Sequence, residues 1–123
     1  TTICGSAPGE FLAALALRRR EAVLGRNRAL TLSNLALLSG FMGRHQGLLS
    51  WAAPSGGPIA FPRLASGGDA EPFCAEVLEG AGVLLLPGGL YGERWRAHFR
   101  LGFGRASFAE GLAALEAYLA GRA

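Results

Sequence analysis

Apolar positions repeat at near-helical spacing over the first third of the chain: Leu12, Ala16, Val23, Leu30, Asn34, Leu37 and Phe41 trace one stripe. Arg18, Arg20, Arg26, Arg28 and Arg44 fall mostly off it. Pro8 suits a first helical turn, Glu10 complements the amino-terminal dipole, and no later proline interrupts. The pattern predicts one long helix from Pro8 to His45, with Gly25 and Gly40 as the positions where it bends or ends early. About 35 helical residues would extend roughly 50 Å, more than a compact domain of this size is wide, so part of this helix is expected to dock elsewhere.

Shorter periods follow. Leu48–Trp51 and Ile59–Pro62 read as two strands around the turn cluster Pro54-Ser55-Gly56-Gly57-Pro58. Asp69 caps a helix from Ala70 to Glu79, which Gly80 and Gly82 close. Val83–Leu86 reads as a buried strand and Pro87–Arg96 as a loop. From His98 to Gly104 the residues alternate, with Phe99, Leu101 and Phe103 on one face and Arg100, Gly102 and Gly104 on the other. Ser107 caps a last helix over Phe108–Leu119, whose apolar face is Phe108, Leu112, Leu115 and Leu119. The fold class expected is α/β, an α+β two-layer sandwich. It has a long amino-terminal helix and a small mixed or antiparallel sheet of about four strands with helices on one face.

With 123 residues the chain suits one domain, 1–123, and is too short for a two-domain cofactor enzyme. All 12 basic residues are arginines, set against 9 acidic ones for a net charge of +3. They are spread out rather than clustered, which argues against nucleic-acid binding. Cys4 and Cys74 form no Cys-x-x-Cys pair and, with His45 and His98 irregularly spaced, no metal site; buried free thiols in a reducing cytoplasm are expected. No apolar run approaches a membrane span, so the protein reads as soluble and cytoplasmic, without membrane contact.

Arg100 is the candidate with the clearest chemistry. A guanidinium meets a carboxylate through two parallel, charge-assisted hydrogen bonds, and Gly102 and Gly104 on the same face leave room for a ligand or another chain segment. The plain alternative is a surface ion pair with Glu93. Ile59 is an apolar position equally suited to core packing. Arg63 and Arg105 would add positive potential, although strand-end arginines are more often surface charges. His45 and His98 have no carboxylate or nucleophile nearby in sequence and read as structural. Trp51, Trp95 and Tyr91 read as packing residues.

The order of elements and several motifs resemble the carboxy-terminal small domain of fold-type-I, class I/II pyridoxal-phosphate aminotransferases, over essentially the whole chain. Ser6-Ala7-Pro8-Gly9-Glu10, Arg26-Asn27 and Asn34-Leu35 resemble the family's long interdomain helix, assigned here to 1–45. Gly56-Gly57-Pro58-Ile59-Ala60-Phe61 resembles its glycine-led strand beside the substrate. Gly82-Val83-Leu84-Leu85-Leu86-Pro87-Gly88 with Tyr91-Gly92 resembles the strand and loop before its carboxylate-binding arginine.

The resemblance implies that Arg100 binds the substrate α-carboxylate, that Ile59 lines the substrate, and that the domain closes over the active site. The intact enzyme would be a homodimer using pyridoxal 5'-phosphate on an amino-acid or 2-oxo-acid substrate. The chain contains no lysine, the residue that forms the Schiff base in this family. It is therefore expected to be a fragment lacking the large cofactor-binding domain, with no catalytic or cofactor-binding residue of its own, no bound cofactor and no activity. The competing reading is a stand-alone interaction module that associates through the long helix.

Overall fold

The computed structural model describes residues 5–121. Cys4 lies outside them.

Two helices replace the single one expected, α1 (Ala7–Arg18) and α2 (Arg20–Arg44). Ser6 caps α1 by accepting from Gly9 N–H, and Pro8 sits in its first turn, as the sequence suggested. The break falls at Arg19, where the backbone turns to φ −106° and ψ 20°, rather than at Gly25 or Gly40. The Arg19 N–H is shared between the Leu15 and Ala16 carbonyls, and its own carbonyl accepts from Ala22 and Val23 to start α2. Such a shared bond tightens one turn and bends a helix without losing a partner. Every residue of α1 is exposed, and so is α2 as far as Ala29. Of the predicted stripe only Asn34 and Phe41 are buried, together with Leu38 and Met42 of the same helix.

The rest of the chain builds short antiparallel strands: β1 (Leu49–Ser50), β2 (Ile59–Ala60), β3 (Arg63–Leu64), β4 (Leu86–Pro87) and β5 (Phe99–Gly102). β1 pairs with β3, and β5 lies between β2 and β4. β2 and β3 are one extended segment interrupted at Pro62, which has no N–H to donate. Ile59 opposite Gly102, Ala60 opposite Leu101 and the bridge of Arg63 to His98 share one register, and Phe99 N–H reaches Pro62 O at 2.9 Å. That bridge joins the two small sheets. Where the sequence predicted two strands before the central helix, there are three, because proline hid the continuation.

Helix α3 (Ala70–Ala81) starts at Asp69, whose side chain accepts from Glu71 N–H, and runs past Gly80 to close at Gly82 in the left-handed conformation (φ 66°). Gly80 is an interior helical position packed against the Tyr118 ring rather than a terminator. After two short 3-10 turns (Gly88–Tyr91 and Glu93–Trp95) and β5 comes α4 (Phe108–Ala120). Ser107 stands at its cap position but makes no side-chain capping bond.

The apolar face of β5 meets α2, α3 and α4. Phe99, Phe103, Leu101, Phe41, Leu38, Val77 and Leu115 are all at most 5% exposed. Each such side chain contributes roughly 1.5–3 kcal/mol by leaving water. Cys74 lies in this core, where burial, with Asp69 and Glu71 adding to it, pushes its thiol up to about 11. On the outer side, Arg44 clamps Glu116 with two bonds of 2.7 Å, tying α2 to α4 and holding the carboxyl below its usual range. His45 Nε2 lies 3.4 Å from the same carboxylate but is not aligned for a hydrogen bond.

Candidate functional site

In an antiparallel pair, residues opposite each other point to the same side. Ile59 opposite Gly102 and Leu86 opposite Arg100 therefore place Ile59, Gly102, Arg100 and Leu86 together on the face away from the helices. The same register sets Phe61 across from Arg100. Alternation in β5 is as the sequence predicted: Phe99 and Leu101 are buried, Arg100 is half-buried and Gly102 exposed. Ile59 is 41% exposed, so it belongs to this open face and not to the core.

The Arg100 side chain makes no hydrogen bond or ion pair among the described residues. Glu93, its alternative partner, pairs with Arg96 at 3.0 Å instead. The central strand thus carries a half-buried guanidinium with apolar neighbours and no acid. Of the two glycines expected to make room, Gly102 does, since a Cβ there would meet nothing within 4 Å. Gly104 does not; a Cβ there would lie 2.7 Å from Pro58, so that glycine accommodates the chain itself.

Next to Arg100 is a cluster of rings that sequence inspection missed. Phe61 stacks on His98 with centroids 5.0 Å apart and meets the edges of Trp95 and Tyr91 at 5.8 Å each. Arg94 lies over Trp95 at 4.9 Å. The rings come from three segments, so no local periodicity announces them; only the register of β2 and β3 against β5 does. Burial lowers the His98 pKa, and Arg63 lowers it further, against the raising effect of the Trp95 backbone carbonyl as an acceptor. The net shift favours the neutral imidazole. Its Nδ1 is buried without a partner among the described residues. His45 lies with Glu116 at the α2–α4 contact, and Trp51 packs against the core, both apart from this face.

Gly88 carries the loop after β4 past β5. A Cβ there would run into the Trp95 and His98 carbonyls, while its N–H bonds to His98 O at 2.7 Å. Asn34, buried in α2, holds the other end of β5 by donating from Nδ2 to the Phe103 and Arg105 carbonyls, both at 2.8 Å. The strand bearing Arg100 is thus fixed at both ends.

Beside it opens a cavity of about 540 Å³ between residues 82–86, the end of β5 and the start of α4, lined by both Arg100 and Arg105. The cavity exists because Val83–Leu85, expected to be strand, is not paired; the strand is Leu86–Pro87.

No known family profile matches the chain. It is 30% identical to capreomycidine synthase of Streptomyces vinaceus over 108 residues, which cover 86% of this chain and 27% of that protein. Among solved structures, a pyridoxal-phosphate-dependent cyclase, OrfR, superposes with a TM-score of 0.87 at 35% identity, covering 100% of this chain and 34% of that one. A pyridoxal-phosphate-dependent aminotransferase from Streptococcus suis superposes at 0.84 with 31% identity, covering 98% and 32%. The chain thus spans about a third or less of the length of these relatives. In sequence and in fold, the chain is similar to about a third of these pyridoxal-phosphate-dependent enzymes, consistent with the carboxy-terminal small domain of a fold-type-I enzyme.

Proposed function

We propose that residues 1–123 are one small domain of a pyridoxal-phosphate-dependent enzyme acting on amino acids, in which Arg100 binds the α-carboxylate of an amino-acid or 2-oxo-acid substrate. The observation carrying this reading is the Arg100 guanidinium itself: half-buried on the central strand, facing open space at Gly102 and paired with no acid among the described residues. Leaving an arginine so placed without a counter-ion is costly unless a ligand supplies one. Ile59 and Leu86 flank it and shield the resulting ion pair from water.

The chain has no lysine, so it does not supply the amine that holds the cofactor. The groups that hold pyridoxal phosphate, which supplies the electron sink for carbanion chemistry, belong to a large domain outside these residues. What this chain does is bind and orient. Arg100 fixes the carboxylate in two bonds, and movement of the domain as a body closes the apolar face over the substrate. The intact enzyme is a cytoplasmic homodimer on this reading, and the exposed α1 and first turns of α2 meet its remaining parts.

In the enzyme carrying this chain, Arg100→Ala should raise KM and lower kcat/KM by about two to three orders of magnitude, with Arg100→Lys recovering only part. Unchanged kinetics with α-amino acids would reject the assignment. The isolated chain, mixed with pyridoxal phosphate and borohydride, should gain no side-chain adduct by mass spectrometry. A trapped adduct on a side chain would contradict the division of labour.

A further inference from the structure

The neighbours of Arg100 on its face of the sheet are unequal. Along β5, about 7 Å away on either side, stand His98 and Gly102. Across the strands stand Phe61 and Leu86. Phe103 N–H bonds to Pro58 O at 2.8 Å and Phe99 N–H to Pro62 O at 2.9 Å, which marks Pro58–Phe103 and Pro62–Phe99 as the wide, hydrogen-bonded type of pair. Phe61 and Arg100, one step out of that phase, form a narrow pair, the type in which opposed side chains come closest. On the other flank Gly88 N–H bonds to His98 O, so Leu86 and Arg100 form a wide pair. The Arg100 side chain therefore leaves the sheet close beside Phe61 and farther from Leu86.

The Phe61 ring is enclosed. His98 stacks on it with centroids 5.0 Å apart and planes 19° from parallel, Trp95 meets both rings edge-on at 5.8 and 5.2 Å, and Tyr91 closes a further side at 5.8 Å. Phe61 is half-buried and lies outside the core cluster, so core packing does not account for this enclosure. Each ring blocks the next, and Phe61 with His98 forms one stiff wall along two sides of Arg100. Toward Gly102 the face is bare, since a Cβ there would meet nothing within 4 Å. Gripping a carboxylate in two bonds requires a long, flexible arginine stem to hold a single arrangement, and a wall opposite a gap narrows the choice before the ligand arrives.

We infer that Phe61, held by His98, Trp95 and Tyr91, is a positioning residue for Arg100: the ring wall aims the guanidinium toward the gap at Gly102, where the α-carboxylate is received. The inference rests on the assignment of Arg100 and adds to it what orients the arginine.

The test is a double-mutant cycle in the enzyme carrying this chain, with kcat and KM measured for the L-α-amino acid that the parent enzyme turns over fastest. Phe61→Leu should raise KM about tenfold and change kcat less, because binding of the carboxylate is what a misaimed guanidinium loses. In an Arg100→Ala background the same substitution should leave kcat/KM unchanged, the ring acting only through the arginine. His98→Leu removes the stacked ring while keeping Phe61, and should shift KM in the same direction by less. A Phe61 with a merely structural role would lower kcat/KM by the same factor in both backgrounds. That result, or a Phe61→Leu enzyme with the parent KM, overturns the inference and leaves the assignment of Arg100 standing. If Arg100→Ala itself leaves kcat/KM unchanged, the assignment of Arg100 falls and the inference with it. Thermal unfolding reports whether Phe61→Leu keeps the parent fold; if it does not, the cycle of His98→Leu with Arg100→Ala decides on the same terms.

Discussion

Helix α1 and strand β5 are both rich in large apolar side chains, and only one of them buries any. Phe11, Leu12 and Leu17 are 62–70% exposed, whereas Phe99 and Leu101 of β5, with Phe103 just beyond it, are 0–5% exposed. The difference is not in composition. β5 lies between two strands and beneath three helices, so each inward side chain finds neighbours within its own chain. α1 has the caps and the propensity of a helix but little to pack on. A helix of that kind draws little stability from packing within the described residues. One part of the molecule is therefore specified by contacts it makes itself, and the other by local helix signals alone.

Substitutions sharpen that contrast. Phe103→Ala empties a fully buried site between α2 and α4 and should cost about 3–5 kcal/mol in denaturant unfolding. Asn34→Ala leaves the buried Phe103 carbonyl without its side-chain donor, and that of Arg105 as well. A loss of about 1–3 kcal/mol is expected, with the loop bearing Arg105 loosened in amide exchange.

Acid should act on the packed half in a smaller way. His98 and Glu116 both have folded pKa values below their ordinary ones, so each contributes stability above its unfolded pKa and loses it as pH falls through the folded value. The His98 contribution goes first, below about 6.5, and that of Glu116 below about 4.5. A Tm that rises on acidification from pH 7 to 4 would contradict both. Leu12→Ala should change stability least, within about 0.5 kcal/mol. A cost comparable to that of Phe103→Ala would mean that α1 already has a docking surface within the chain.

The features that local pattern governs were legible in the sequence. Alternation from His98 to Gly104 separated Arg100 from the phenylalanines, and the caps at Ser6 and Asp69 marked two helix starts. What pattern missed depends on distant partners. Val83–Leu85 has strand composition, but the backbone diverges from β5 there, and the cavity fills the gap. Arg63 and Leu64 look like loop after Pro62, yet β1 and the Arg63–His98 bridge make them strand. The break at Arg19 lies in a stretch that is exposed throughout among the described residues, and no glycine or proline signals it. At the site, Arg100 stood out because a cation in an apolar alternation has few purposes. The rings of Phe61, Trp95 and Tyr91 did not, since three separate segments supply them.

The central claim is that the Arg100 guanidinium receives a substrate carboxylate. A crystal structure of the enzyme containing this chain, with a non-reacting amino-acid analogue bound, reads that contact directly. The account predicts both carboxylate oxygens at about 2.8 Å from the Arg100 nitrogens. A carboxylate held by other groups, with Arg100 turned to solvent, would contradict it.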